Sequence, residues 1–293
     1  VPLDKTYPEK RIEFIMNDCG IKQLIVNDTL PNFNEPGHIQ ALCTLIEKNK
    51  LLKAGNCADE VAYIIYTSGT TGTPKGIPIR HYQLLNLADE LIRIFSVTPD
   101  SRMIYFASMS FDASVSEIFT ALLSGAGLVI ATEAERHDPE LLLRLLEEKE
   151  ITCAIIPPAL LAVLPHRSLP ALETLAIVGD KCAAHPLAFW KEGRTLINAY
   201  GPTENTVGAT AGIVENLHHI RNIGFPFRNV SCYVLDERMR LLPPGVSGEL
   251  HIGGIQLTTG YINRPELNAQ KFVLNPFVTI AEKKADINTI LYK

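Results

Sequence analysis

The fold class is written in Met103–Ile156, MIYFASMSFDASVSEIFTALLSGAGLVIATEAERHDPELLLRLLEEKEITCAII. Short apolar runs stand at both ends and at Gly127–Ala131, with segments of helical period between them. That alternation is the mark of parallel strands joined by crossover helices. Working outward, the same reading predicts strands at Lys22–Val26, Val61–Tyr66, Met103–Ala107, Gly127–Ala131, Thr152–Ile156, Thr174–Val178 and Thr195–Ala199. It predicts helices at His38–Lys48, Tyr82–Phe95, Ser114–Leu123, Pro139–Glu148 and Pro186–Glu192. From about Asn222 the pattern changes to short β-prone pieces, Ser231–Asp236 and Glu249–Ile252, separated by turn signals such as Pro243-Pro244-Gly245. Asn275–Asp286 carries the weakest pattern. The expected architecture is α/β, with parallel sheets flanked by helices over residues 1–215 and a smaller β-rich subdomain over 216–293.

The chain has 293 residues, 46% hydrophobic and 20% charged, which suits a globular protein with a large core. Its 27 Lys and Arg against 32 Asp and Glu give a net charge of -5, so no chain-wide basic field exists to hold a nucleic acid or an anionic membrane. A spanning helix needs roughly 20 consecutive apolar residues, and the apolar runs here are strand-sized. The six cysteines, Cys19, Cys43, Cys57, Cys153, Cys182 and Cys232, form no Cys-x-x-Cys pair and read as structural thiols of a reducing compartment, the cytoplasm. Cys182 and His185 lie one helical turn apart without a second pair to complete a zinc site, and His218-His219 reads as a solvated loop pair. The opening Val1-Pro2-Leu3-Asp4 has no initiator Met and no secretory signal, which suggests a processed chain or a piece of a longer one.

Three segments carry chemistry. Thr67-Ser68-Gly69-Thr70-Thr71-Gly72-Thr73-Pro74-Lys75-Gly76 follows a predicted strand and crowds hydroxyls, glycines and one lysine into a turn. Such a loop offers backbone N–H groups, hydroxyls and a compact charge to phosphate oxygens, and it also fits a plain flexible hairpin. It is not a Walker A loop, because Pro74 stands where a glycine is needed and Gly76 where Ser or Thr is needed. Asn198-Ala199-Tyr200-Gly201-Pro202-Thr203-Glu204 follows another predicted strand, where open α/β sheets bind ligands. Tyr200 can face a base, Thr203 a phosphate and Glu204 a Mg2+ ion, or the segment is a tight turn with Tyr200 packed. Phe111-Asp112-Ala113-Ser114 opens a predicted helix, and by sequence alone Asp112 reads best as its cap.

Together these strings, YTSGTTGTPKG at Tyr66–Gly76, FDAS at Phe111–Ser114, NAYGPTE at Asn198–Glu204 and GELHIGGIQLTTGYI at Gly248–Ile262, resemble the adenylate-forming enzymes. Within them the chain is similar to the amino-acid adenylation domains of nonribosomal peptide synthetases, along nearly its whole length. The resemblance implies ATP and Mg2+ as cofactors and conversion of an α-amino acid to aminoacyl-AMP with release of pyrophosphate. Transfer to the phosphopantetheine thiol of a carrier domain would follow, with neighbouring synthetase domains as further partners.

By the same resemblance Thr67 to Lys75 hold the β and γ phosphates, with Thr67, Ser68, Gly69, Thr70, Thr71, Gly72, Thr73, Lys75, Asn198, Tyr200, Gly201 and Thr203 forming the ATP site. Tyr200 stacks on adenine, Asn198 helps to recognise it, Thr203 contacts the α-phosphate and Glu204 ligates Mg2+. Lys75, Thr203 and Glu204 form the catalytic set. Asp112 changes meaning, since it pairs with the substrate's α-ammonium. The side-chain pocket is formed by Phe111, Ala113, Ser116, Ala159, Ala176, Val178, Ala199, Val207 and Gly208. No charge stands among these, and a charged substrate would be left unpaired at a cost of several kcal/mol, so a bulky apolar or aromatic amino acid is expected. The resemblance also predicts elements that this sequence lacks, namely a Thr-Gly-Asp whose aspartate binds ribose, a hinge, and a small C-terminal domain with its catalytic lysine. The chain is therefore expected to be the middle of an adenylation core with impaired turnover. The rival readings are an acyl- or aryl-CoA ligase of the same fold and a non-catalytic nucleotide-binding or docking module.

Overall fold

The computed structural model describes residues 1–22, 24–26, 39–41, 58–68, 72–179, 184–285 and 287–293. At its centre is a seven-stranded sheet in the order Phe225–Pro226, Thr210–Ile213, Thr195–Tyr200, Thr174–Val178, Cys153–Ile155, Arg102–Tyr105 and Gly127–Ile130. The five strands from Thr195–Tyr200 to Gly127–Ile130 run parallel. Helices Ala113–Ser124, Pro139–Glu148 and Ala184–Lys191 make crossovers between them. Pro139–Glu148 begins cleanly because Asp138 Oδ1 accepts the N–H groups of Glu140 at 2.8 Å and Leu141 at 3.2 Å, with Pro139 in the first turn.

Period-two alternation divides the sheet into two apolar faces. Met103, Cys153, Ile155, Ala176, Ile197 and Ala199 pack against Leu84, Leu87, Leu91 and Phe95 of helix His81–Phe95 and against Val115 and Ala121. Ile104, Ala154, Ile156, Leu175, Ile177 and Leu196 pack on the other side against Leu142, Leu143, Leu146, Leu187 and Trp190. Burial on both faces is why these strands read as unbroken apolar runs.

Three smaller sheets accompany the central one among the described residues. Val230–Leu235, Glu249–Gly254, Ile290–Tyr292 and Phe272–Leu274 form a separate antiparallel sheet. Val61–Thr67 and Lys75–Arg80 form an antiparallel hairpin. Leu24–Val26 pairs in parallel with Ile39–Ala41.

That last pairing corrects the helix expected over His38–Lys48: Ile39–Ala41 is a strand, and the rest of that span lies outside the described residues. Cross-strand hydrogen bonding to Leu24–Val26 overrides the local helical spacing. The weakly patterned Asn275–Asp286 holds a short helix, Ile280–Lys284, started by a Thr279/Glu282 capping box. The strands Lys75–Arg80, Thr210–Ile213, Phe225–Pro226, Phe272–Leu274 and Ile290–Tyr292 are additions to those expected from sequence. Among the described residues no helix is long and apolar enough to cross a membrane. Cys19, Cys153 and Cys232 are free thiols, and Cys43, Cys57 and Cys182 lie outside the described residues.

Candidate active site

The hairpin sets Lys75 directly opposite Thr67, so both ends of the Ser/Thr/Gly loop are anchored in one two-stranded ladder. Gly69, Thr70 and Thr71 lie outside the described residues. Ser68 is exposed, and Gly72 sits at φ +81 in open space. Gly76 is required by close approach, because a Cβ there would stand 2.7 Å from the Tyr66 ring. Tyr66 donates to Asp18 Oδ2 at 2.9 Å, and Asp18 also pairs with Arg264 at 3.1 Å. Helix Glu9–Asp18 and the Asn263-Arg264 turn therefore brace the base of the loop.

Strand Thr195–Tyr200 delivers the second segment. Beyond Gly201 the chain enters a single 3-10 turn, Thr203–Asn205, and then holds Thr206 at φ 52 and Val207 at φ 67. A β-branched residue in the left-handed region stores strain of about 1–3 kcal/mol and persists only where its surroundings over-determine it. Here Gln256 Nε2 donates to the carbonyls of Gly208 (2.8 Å) and Asn205 (3.2 Å). Thr206 Oγ1 donates to the Gln256 carbonyl at 2.6 Å, and the Thr258 N–H to the Glu204 carbonyl at 2.8 Å. Asn86 donates to Gln256 Oε1 at 2.6 Å and Gln83 to the Leu257 carbonyl at 2.6 Å. Gly201 and Gly208 stack so closely that a Cβ on Gly201 would lie 2.5 Å from the Gly208 Cα.

The two segments meet at Lys75 and Glu204. Lys75 Nζ lies 2.7 Å from Glu204 Oε1 and 2.9 Å from the Tyr261 hydroxyl, which itself donates to Glu204 Oε1 at 2.6 Å. The ammonium also sits over the Tyr261 ring, 4.3 Å from its centroid. Burial pushes the Glu204 carboxyl up, but the hydrogen bonds from Lys75 and Tyr261 and the lysine's charge outweigh it and hold it below its ordinary value. Tyr292 stands beside them, its phenol pushed up to about 12 by burial and then by the Glu204 charge.

Asp112 precedes helix Ala113–Ser124 but makes no side-chain capping bond, so the capping role expected from sequence alone is not filled. Its half-buried carboxyl lies beside Thr203 and Glu204. Burial raises its pKa, partly offset by hydrogen bonds from the Thr203 side chain and the Ala113 N–H, and the Glu204 charge raises it further. The Tyr63 hydroxyl is buried without a hydrogen-bond partner among the described residues, and its phenol is raised by burial and then by the Asp112 charge.

The remaining expected residues divide. Ala176, Ala199 and Val207 are buried in one cluster with Val178 packed against it, on the sheet face that helix Ala113–Ser124 covers. Ser116 donates to the Ala113 carbonyl at 2.6 Å, and a Cβ on Gly208 would meet the Phe227 ring at 2.6 Å. Ala159 is exposed on the short helix Pro158–Leu161, and Phe111 is 66% exposed, so neither belongs to that buried cluster. By strand alternation Asn198 and Tyr200 share the face opposite Ala199. Asn198 Nδ2 donates to the carbonyls of Ile220 (2.8 Å) and Asn222 (3.0 Å), and the Tyr200 ring stays 39% exposed.

Tyr63, Gln256, Tyr261 and Tyr292 were missed by sequence reasoning. Gln256 and Tyr261 stand within Gly248–Ile262, and their spacing in the chain gives no sign of a contact with Glu204 or Gly208.

A family model described as AMP-binding enzyme matches residues 1–262, and the chain belongs to that family. It is 40% identical over 287 residues to bacitracin synthase 3 of Bacillus licheniformis, covering 95% of this chain and 4% of the relative. It is 39% identical over 290 residues to tyrocidine synthase 1 of Brevibacillus parabrevis, covering 95% of this chain and 26% of the relative. The chain thus spans a small part of either relative. Among solved structures it is similar to the Klebsiella oxytoca NpsA N-terminal subdomain in complex with 3-hydroxybenzoyl-AMSN, with a TM-score of 0.84 and 26% identity, covering 100% of this chain and 75% of that one. It is likewise similar to an artificially fused adenylation–PCP di-domain, NpsA-ThdA, also from Klebsiella oxytoca, with a TM-score of 0.86 and 25% identity, covering 100% of this chain and 59% of that one. The fold is that of the adenylate-forming enzymes, with a mainly parallel sheet flanked by helices and a separate antiparallel sheet.

Proposed function

We propose that the protein containing this chain activates an α-amino acid with ATP. A substrate carboxylate oxygen attacks the α-phosphorus, and the bond from that phosphorus to the β-phosphate's bridging oxygen breaks. Aminoacyl-AMP forms, and pyrophosphate leaves with the bonding pair. The phosphopantetheine thiol of a carrier domain, its proton given up to solvent, then attacks the aminoacyl carbonyl carbon, and the C–O bond to AMP breaks so that AMP leaves with the bonding pair; the likeness to the adenylation–PCP fusion supports that partner. The single observation that carries the amino-acid reading is Asp112, a half-buried carboxyl free of capping duty beside Thr203 and Glu204. An α-ammonium there would gain a charge partner.

In this reading Lys75 donates to phosphate oxygens, Thr203 to the α-phosphate, and Tyr200 offers its exposed ring to adenine, with Asn198 holding that strand to the 220–222 turn. No covalent enzyme nucleophile is needed, since positioning and charge stabilisation suffice for in-line transfer. The donor set fits Mg2+. Glu204 presents a hard carboxylate oxygen that already faces a cation, and the described residues contain no cluster of three His, Cys, Asp or Glu. The other ligands would be phosphate oxygens and water, the coordination that Mg2+ favours. When bound, the ion supplies charge neutralisation at the transferring phosphoryl group.

The apolar cluster of Ala176, Val178, Ala199 and Val207 supports a bulky apolar or aromatic side chain. The free thiols of Cys19, Cys153 and Cys232 support a reducing compartment, the cytoplasm. Amino-acid-dependent exchange of pyrophosphate into ATP, run with aromatic and large aliphatic amino acids at the head of the panel, tests the proposal. Equal exchange with the matching acids that lack an amino group sinks it. That outcome would favour an aryl- or acyl-activating relative, the second reading that the likeness to the 3-hydroxybenzoyl-AMSN complex supports.

A further inference from the structure

Tyr261 is the most firmly held member of the Lys75, Glu204 and Tyr261 cluster. Its N–H donates to Asn268 Oδ1 at 2.7 Å, and Asn268 Nδ2 returns a bond to its carbonyl at 3.0 Å. Its ring packs with Ile77 and Ile79 and meets the Phe272 ring edge-on at 5.4 Å. Lys75, by contrast, hangs on a four-carbon stem beside an open cavity of about 540 Å³ lined also by Thr73, Arg264, Lys271 and Tyr292. The lysine has somewhere to move, and the phenol does not.

The geometry points to a self-occupied cation site in which Tyr261 is a positioning residue. In the ligand-free chain the Lys75 ammonium stands on Glu204 Oε1, where a divalent cation would otherwise be met, and Tyr261 holds the two together. A polyphosphate entering the cavity draws Lys75 off and leaves Glu204 unpaired, still hydrogen-bonded by Tyr261 and ready for the cation. Polyphosphate and divalent cation therefore bind cooperatively, each raising the affinity of the other by the same factor. This inference rests on the adenylation reading, and its test separates the two.

The first measurement needs no ligand. Urea midpoints of wild type, Lys75→Met, Tyr261→Phe and the double variant are expected to be non-additive by at least about threefold in the folding constant, as for groups in one network. Additive midpoints overturn the lock. The second measures AMPPNP affinity by calorimetry in EDTA and in saturating MgCl2. Tyr261→Phe, which changes no charge, loses a bond that Lys75 makes only in the closed state. It is expected to bind AMPPNP in EDTA roughly three- to tenfold more tightly than wild type and to shrink the gain from Mg2+ by the same factor. An unchanged ratio overturns the inference. Should Tyr261→Phe not fold, Glu204→Gln also frees the lysine. It is expected to bind AMPPNP more tightly than wild type in EDTA and to gain nothing from Mg2+, and weaker binding in EDTA overturns the inference. Coupled midpoints with no AMPPNP binding in either buffer overturn the adenylation reading instead.

Discussion

The seven-stranded sheet and the seam between residues 202–208 and 256–261 are both buried, by opposite means. The sheet buries Leu, Ile and Ala against four helices, through contacts that have no preferred direction. The seam buries Asn205, Thr206, Gln256 and Thr258 at 0% exposure and holds them by bonds that accept one geometry each. Apolar packing yields gradually to substitution, whereas a buried polar seam loses its geometry with any one partner and leaves the others orphaned. The strained Thr206-Val207 pair and Glu204 both depend on the seam.

Four measurements sharpen or break that contrast. Trp190, 1% exposed and donating to the Leu161 carbonyl at 3.0 Å, belongs to the sheet side. Trp190→Ala is expected to lower stability by about 3–5 kcal/mol in urea denaturation while leaving AMPPNP affinity of the folded fraction unchanged. Gln256→Leu is expected to cost less, about 2–3 kcal/mol, yet to weaken AMPPNP binding in Mg2+ at least tenfold, because the Asn205 carbonyl loses its side-chain donor, the Gly208 carbonyl keeps only the bond from Asn205 Nδ2, and Asn86 loses its acceptor. If Trp190→Ala weakens binding more than Gln256→Leu does, the division between the two regions fails.

Glu117 is a polar intrusion on the sheet side. It is 1% exposed, and its Oε2 accepts from the N–H groups of Phe106 at 3.0 Å and Ala107 at 2.9 Å. Burial pushes its carboxyl up to about 8, against those bonds, so folding takes up a proton at neutral pH. The associated stability is fully present below the group's ordinary value of 4.5 and is lost as pH rises through about 8. Glu117→Gln keeps an acceptor oxygen and removes the titration. Its stability in urea denaturation is expected to fall between pH 5 and 8 by about 3.5 kcal/mol less than that of wild type, and parallel pH profiles would refute this.

The smallest effect is expected at Asp112. Asp112→Asn should raise the KM for the amino acid about tenfold, close to 1.4 kcal/mol, with kcat less affected. Because burial lifts the Asp112 pKa, the wild-type KM should rise on acidification at a higher pH than an ordinary aspartate would cause, and the variant should lose that dependence. An unaltered KM would remove the ammonium from this site.

Much of the sheet was legible from sequence because helix and strand periods are local. Thr174–Val178 and Pro139–Glu148 come out with the bounds the periodicity predicts. The turn after Tyr200 was legible too, since Gly and Pro mark sharp backbone wherever they cluster, while of the loop before Lys75 residues 69–71 lie outside the described residues. Ile39–Ala41 was misread because its partner strand, not its own spacing, selects its conformation. Asp112 was legible only as a residue type, because whether a carboxylate caps its helix or faces a neighbouring loop depends on what stands across the gap.

The sequence by itself determined the α/β class, the five parallel strands of the central sheet with their main crossover helices, and which segments are rich in hydroxyl, glycine and carboxylate groups. The tertiary structure alone decided that Lys75 meets Glu204 across 129 residues and Tyr261 across 186, and that Gln256 holds the carbonyls of Asn205 and Gly208. The physical reason is range: backbone propensity and hydrophobic period act within a turn or a strand. A hydrogen bond between distant residues exists only once packing has fixed both ends to within a few tenths of an ångström.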